Sequence, residues 1–262
     1  IPSPLSPSWI ALDKKTGKLL GEDGSGASAS ALHAAWSSLT YGKVGGKDML
    51  IWGGTDGFCY GYSTKTEKDA DGYDLFNPLW KVDCNEPHYR KDKSGKKVPY
   101  ATPPGPSELI GTPVLYDGKV YCAIGQDPEH GDGVGRLTCI DASTGKVLWK
   151  NTDIGRTIST MSVADDLVYL AEYAGIVHCL DAKTGKVYWT HDSFSRIWGS
   201  TLVVDGKLLL GNEDGDLLIL DHGKKKPKVQ MVGMGAPVYS SPVFVNGTLY
   251  VATQTHLYAI GK

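Results

Sequence analysis

Several marks of familiar chemistry are missing from this chain. Its seven histidines form no His-Glu-x-x-His or paired-ligand pattern; His33, His88 and His178 stand as singletons. Its five cysteines (Cys59, Cys84, Cys122, Cys139, Cys179) lack any Cys-x-x-Cys spacing, which argues against a cysteine zinc site. No Gly-x-Ser-x-Gly, Walker or dinucleotide fingerprint occurs. Gly53-Gly54-Thr55-Asp56-Gly57 is glycine-rich but lies between two strand-like runs, so it reads as a hairpin and not a phosphate cradle. An excess of one charge is missing too. With 27 basic and 29 acidic residues, no strong pull toward nucleic acid or a membrane surface is expected. No apolar run is long enough to cross a bilayer, and helical periodicity is hard to find anywhere.

What the chain does have is glycine, 33 of 262 residues, with 14 prolines, placed at turns between apolar strands. That pattern marks a loop-rich β protein, not disorder. Five times a small polar pair opens a strand: Ser37-Ser38, Gly111-Thr112-Pro113, Ser159-Thr160, Gly199-Ser200-Thr201 and Ser240-Ser241-Pro242. The last four openings are spaced at roughly 40–48 residues, with a longer gap after the first. A period near 40 built of short strands and turns is the mark of a β-propeller, one four-stranded antiparallel blade per repeat.

The repeat from Ser159 serves as a template. Strand A runs to Ala164, Asp165-Asp166 forms a two-residue turn, Leu167–Ala171 is strand B, Ile176–Leu180 strand C and Val187–Thr190 strand D. Between C and D, Asp-x-x-Thr-Gly-Lys recurs from Asp13, Asp141 and Asp181. The aspartate suits an Asx-type turn and the glycine a positive φ, so these carboxylates read as structural. Trp80, Trp149 and Trp189 suit packing between neighbouring blades. Cys122 and Cys139 flank one insertion; a cross-strand disulfide and two buried thiols both remain open there, and the odd cysteine total leaves at least one thiol unpaired.

Gly118-Lys119-Val120-Tyr121, strands ending Cys-Ile-Asp or Cys-Leu-Asp, and Thr144-Gly145-Lys146-Val147-Leu148-Trp149 together resemble the PQQ-like, or quinoprotein-alcohol-dehydrogenase-like, β-propeller repeat. More narrowly, Pro7 to Asp13 and Gly125 to Gly135 resemble secreted PQQ-binding-like propeller proteins of planctomycete-type bacteria. The resemblance implies an all-β chain forming part of an eight-bladed ring. The expected organisation is one propeller domain over 1–262: a partial blade at 1–31, blades at about 32–106, 107–155, 156–196 and 197–236, and a closing partial blade at 237–262. Both partial blades supply a strand C, so about two upstream blades are expected to be missing. The opening Ile1-Pro2-Ser3-Pro4 likewise reads as the interior of a longer protein.

Two stretches are site-like. Asp127, Glu129, His130 and Asp132 crowd four potential metal ligands onto a loop between strands B and C. Oxygen donors suit calcium and the histidine a transition metal, although the spacing is not that of a helix-loop-helix calcium loop and an ordinary exposed loop remains the alternative. Beside the polar pairs, Trp36, Arg156, Arg196, Trp198 and Tyr239 are expected to gather at one mouth of the propeller channel, where a carbohydrate, a peptide or an anionic ring would bind; Trp36 and Trp198 wedged between blades is the alternative. The insertion from about Lys65 to Pro106, with its charge runs and Pro103-Pro104, reads as loops on a propeller face.

Two functions follow as expectations. The first is a non-catalytic scaffold, periplasmic or secreted, binding a protein, an extracellular polymer or the missing N-terminal part of the same protein. The second, implied by the resemblance, is a dehydrogenase using PQQ and calcium, or a degenerate relative of one. Enzymes of that family cover the quinone with adjacent cysteines, and this chain has no Cys-Cys pair and no haem Cys-x-x-Cys-His. The scaffold, with no cofactor, is the favoured reading, because a shared fold does not carry its chemistry.

Overall fold

The computed structural model describes residues 6–102 and 105–261; Pro103 and Pro104 of the expected proline-rich loop end lie outside them. It divides into two compact units, one reaching Lys150 and one beginning at Asn151. Each holds three small sheets.

In the first unit the chain runs through β1 (Ile10–Leu12), β2 (Leu19–Asp23), β3 (Leu39–Val44), β4 (Lys47–Gly53), β5 (Phe58–Ser63), β6 (Glu67–Lys68), β7 (Asp74–Phe76), β8 (Pro78–Asp83) and a single helical turn α1 (Pro87–Arg90). It continues as β9 (Val114–Tyr116), β10 (Lys119–Ile124), β11 (Arg136–Asp141) and β12 (Val147–Asn151). The second unit repeats the meander as β13 (Ser162–Ala164), β14 (Leu167–Ala171), β15 (Ile176–Asp181), β16 (Val187–Asp192), then β17 (Leu202–Val204), β18 (Lys207–Gly211), β19 (Asp216–Asp221), β20 (Val229–Gly233), and finally β21 (Val243–Val245), β22 (Thr248–Ala252) and β23 (Leu257–Ile260). Among the described residues no helix is long and apolar enough to cross a membrane.

Four sheets are antiparallel meanders of four strands, and β21–β23 make a meander of three. The exception is the first sheet, ordered β1-β2-β7-β6. There the hairpin β6–β7, from the insertion expected to be a face loop, pairs parallel to β2 at Glu22↔Leu75 and Asp23↔Phe76. The charge run Lys68-Asp69-Ala70-Asp71-Gly72 is the tip of that hairpin, its turn held by Asp69 Oδ1 accepting from the Asp71 and Tyr73 amides.

The A–B turns show why the repeats begin where they do. Asp117-Gly118, Asp165-Asp166, Asp205-Gly206 and Asn246-Gly247 all sit at positive φ at both positions, the backbone that a two-residue hairpin needs to match strand twist. The three Asp-x-x-Thr-Gly-Lys turns are alike in detail: Asp13, Asp141 and Asp181 each accept from the backbone N–H and the hydroxyl of the threonine three residues on. The small polar pairs stitch neighbouring sheets. Ser38 N–H donates to Thr112 Oγ1 (3.1 Å), Thr160 N–H to Ser200 Oγ (3.0 Å) and Ser200 N–H to Ser241 Oγ (2.7 Å).

Between sheets, apolar side chains interlock. In the first unit, Met49, Ile51, Val120, Ile124 and Ile140 form one core, with Trp80 laid against it and its indole N–H donating to Ala142 O at 2.9 Å. A Cβ on Gly61 would lie 2.2 Å from that indole, so only glycine admits Trp80. In the second unit Trp189, nearly buried, does the same among Leu167, Ile197 and Leu218, donating to Gly223 O. All five cysteines are free and buried. Cys122 pairs with Thr138 and Cys139 with Tyr121 across β10–β11, so the two thiols face opposite sides of the sheet and cannot bond to each other. Cys122 instead meets Cys84, at 3.5 Å between sulfurs, inside the core.

Candidate functional sites

The same two chain segments recur at one end of every complete meander. The run leading into strand A and the turn between strands B and C exchange backbone hydrogen bonds, both within a sheet and with the next one. Tyr173 N–H donates to Arg156 O, and Ile197 N–H to Tyr173 O; Glu213 N–H donates to Arg196 O, and Val238 N–H to Asn212 O. In the first unit Leu32 N–H donates to Thr55 O, Leu109 N–H to Gly54 O, and Glu108 and Gly125 bond each other in both directions. Paired backbone at this end fixes two otherwise irregular segments, so their side chains project from a rigid base.

In the first unit this end gathers imidazoles and carboxylates. The insertion after β10 starts with Asp127, whose carboxylate accepts from Glu129 N–H (2.9 Å) and caps the turn Pro128–His130. Buried Gln126 donates to His130 O at 2.6 Å, and Gly133, at φ 65°, lies so close that a Cβ there would meet Gln126 at 2.5 Å. The loop is thereby folded back with Asp127 and His130 facing His33. Asp127 Oδ2 is 3.6 Å from His130 Nδ1 and 3.9 Å from His33 Nδ1; the two rings are 4.3 Å apart. Glu108 Oε1 is 3.9 Å from His33 Nδ1 and accepts from Tyr100 OH at 3.2 Å. The Glu108 side chain is wholly buried, and its other oxygen has no partner, nor does His33 Nδ1. Burial pushes the Glu108 carboxyl up to about 8. Of the four ligands expected from sequence, Asp127 and His130 belong to this cluster, whereas Glu129 and Asp132 are exposed outside it. Trp36 is half exposed and stacks on His33 at 6.2 Å. A cavity of about 460 Å³ opens beside His33, lined by Ser6, Pro7, Ser28, Leu32 and Thr55.

His33, Glu108 and Tyr100 were not legible as site residues. His33 follows a short 3₁₀ turn (Ala27–Ser30) far from the loop it faces, and Glu108 sits in the run before strand A, where the repeat gives no cue. The cue that existed was a carboxylate flanked by the apolar Leu109-Ile110, a position the chain buries.

In the second unit the equivalent end holds guanidinia and aromatic rings. Arg156, Arg196, Trp198 and Tyr239 come together around two residues that sequence reasoning missed, Tyr173 and Glu213, each on a B–C turn. The Arg156 and Arg196 guanidinia lie over the buried Tyr173 ring at 4.5 and 5.5 Å. Trp198 stands edge-on to Tyr173 (5.1 Å) and Tyr239 edge-on to Trp198 (5.6 Å). Glu213 accepts from the Trp198 indole and the Tyr239 hydroxyl, both at 3.4 Å, with Arg196 at 3.8 Å. The result is an aromatic ladder edged with positive charge, with Arg196 mostly exposed.

Residues 77–261 match the PQQ-like repeat model described as outer membrane protein assembly factor BamB. None of the curated proteins compared matches the chain. Among solved structures, BamB from Moraxella catarrhalis is similar at TM-score 0.67 and 16% identity, over 95% of this chain and 65% of that one. The chain thus spans about two thirds of that protein's length. The computationally designed Ika8 protein (TM-score 0.63, 14% identity, 96% of this chain and 64% of that one) and a chain of the mitotic checkpoint complex (0.64, 12%, 97% and 68%) are similar as well. At such identities the likeness concerns the fold, an all-β propeller of short antiparallel sheets, as expected from the repeats.

Proposed function

The chain belongs to the family of the outer membrane protein assembly factor BamB, and from that premise we propose that it is a non-catalytic propeller scaffold binding a protein partner outside the cytoplasm. The observation that carries this reading is the ladder Arg156–Tyr173–Arg196–Trp198–Tyr239. Tyrosine, tryptophan and arginine dominate the energetic centres of protein interfaces; the two aromatics bury large area while losing few rotamers, and arginine adds a planar charged group that stacks on rings. Here the rings are already braced against one another and the backbone beneath is paired, so little ordering remains to be done on binding. Arg196, mostly exposed at the edge of the ladder, favours a partner segment that presents carboxylates. The family's description, an assembly factor of the outer membrane, supports placing the chain in the periplasm or at that membrane.

The test is affinity capture from the envelope and extracellular fractions, with the wild-type chain beside Trp198→Ala and Arg196→Glu. A defined protein recovered by the wild type and lost with both variants is the expected result. Equal recovery by all three would move the partner surface elsewhere. Visible quinone absorption after adding PQQ and calcium, with dye-linked alcohol oxidation, would overturn the scaffold reading in favour of a dehydrogenase.

A further inference from the structure

We propose that His33, Asp127 and His130, with Glu108 behind them, form a binding site for a divalent zinc-type metal ion in the first unit. This does not depend on the protein-binding reading, since it concerns other residues in the other unit.

The first ground is distance. One donor atom from each of His33, Asp127 and His130 lies within 4.8 Å of the other two. The Asp127 contacts, at 3.6 and 3.9 Å, are too long for hydrogen bonds. They are close to the separation of about 3.4 Å that two ligands keep around a tetrahedral ion bound at about 2.1 Å. The groups are therefore poorly placed to satisfy each other and well placed to share an ion.

The second ground is independent of the first. Glu108 is fully buried: its Oε1, 3.9 Å from His33 Nδ1, accepts from Tyr100, its Oε2 has no partner, and His33 Nδ1 has none either. Buried polar atoms are nearly always paired, since an unpaired one has lost its water without gaining a partner. A cation held by His33 and Asp127 would give the orphaned imidazole nitrogen a partner and set a positive charge beside the buried Glu108 carboxylate.

Donor chemistry selects the ion. Two imidazole nitrogens with carboxylates suit zinc or a related first-row ion, whereas calcium takes six to eight oxygens. The architecture agrees. The B–C turn after β10 is lengthened over residues 126–135, while the equivalent turns at Thr55-Asp56 and Glu213-Asp214 are short. The added residues supply Asp127 and His130. A bound ion would tie three separate connections: the run after the 3₁₀ turn, the run into β9, and this loop.

The chain, stripped with chelator and dialysed, should be titrated with zinc chloride and separately with calcium chloride. One zinc per chain is expected, with Tm rising on the order of 5 °C at a hundredfold excess over Kd and no comparable shift with calcium. His33→Ala and Asp127→Asn should each weaken zinc by about tenfold or more, while His88→Ala, on α1 and outside the cluster, should leave it unchanged. Cobalt(II) bound to the wild type should show the intense visible absorption of a tetrahedral site, a readout that needs no variant to fold. His130→Gln should abolish that spectrum if circular dichroism shows the fold intact. No zinc uptake by the wild type, uptake indifferent to His33→Ala and Asp127→Asn, or a cobalt spectrum identical to the aqueous ion would each overturn the proposal.

Discussion

In both units the run before strand A and the turn after strand B carry the site-like side chains, on backbones bonded in the same way, yet their chemistry differs. The first unit sets His33, Glu108, Asp127 and His130 there; the second sets Arg156, Arg196, Trp198, Tyr173 and Tyr239. The difference teaches that the repeat fixes where side chains project and leaves open what they are. It also separates two electrostatic regimes. Glu108 is buried with one oxygen bonded by Tyr100 and the other without a partner, whereas Glu213 is reached by an indole, a phenol and a guanidinium.

Four measurements test the contrast between the two units. The largest effect is expected from Trp189→Ala, which removes an almost buried indole from the core of the second unit; it should cost about 3–5 kcal/mol by urea unfolding. Next is Glu108. A carboxyl raised to about 8 in the folded chain, against 4.5 when free, gives its full stability below the lower value and loses it as pH climbs to the higher. Metal-free protein should therefore weaken between about pH 4.5 and 8, by at most about 5 kcal/mol, and Glu108→Gln should flatten that slope. A slope unchanged by the substitution would show that Glu108 does not strain the first unit.

Asp181 carries the opposite sign. The Tyr188 hydroxyl first, then Thr184, hold its carboxyl below the usual range, so its contribution is present above the unfolded value and fades as pH falls through the folded one. Asp181→Ala should cost about 1 kcal/mol at neutral pH and should make acid unfolding less steep. Arg196→Ala is expected to have the smallest effect on the fold, within about 0.5 kcal/mol, because the side chain is mostly exposed. Its consequence should appear in partner binding alone, and a larger loss of stability would recast the ladder as packing.

Legibility differed by range along the chain. The hairpin turns, the Asx turns and the packing of Trp80 and Trp189 were readable, because each depends on residues a few positions apart or on a bulky side chain with one place to go. Asp127 and His130 were readable as ligands because they crowd one short loop, but the same crowding drew in Glu129 and Asp132, which stand outside the cluster. The hairpin β6–β7 was not, since its parallel pairing with β2 depends on an edge formed far earlier in the chain. The pairing of Cys122 and Cys139 was left open for a related reason: a one-residue offset in register decides which face a thiol takes.

The repeat, the turns that end each strand and the membership of a propeller family are written in neighbouring residues, through local backbone preference and alternating burial. Which histidine faces which carboxylate, and which arginine covers which ring, is set by the folded packing. Those contacts join segments far apart in the chain, and their distances depend on strand register and sheet packing, which no short stretch encodes.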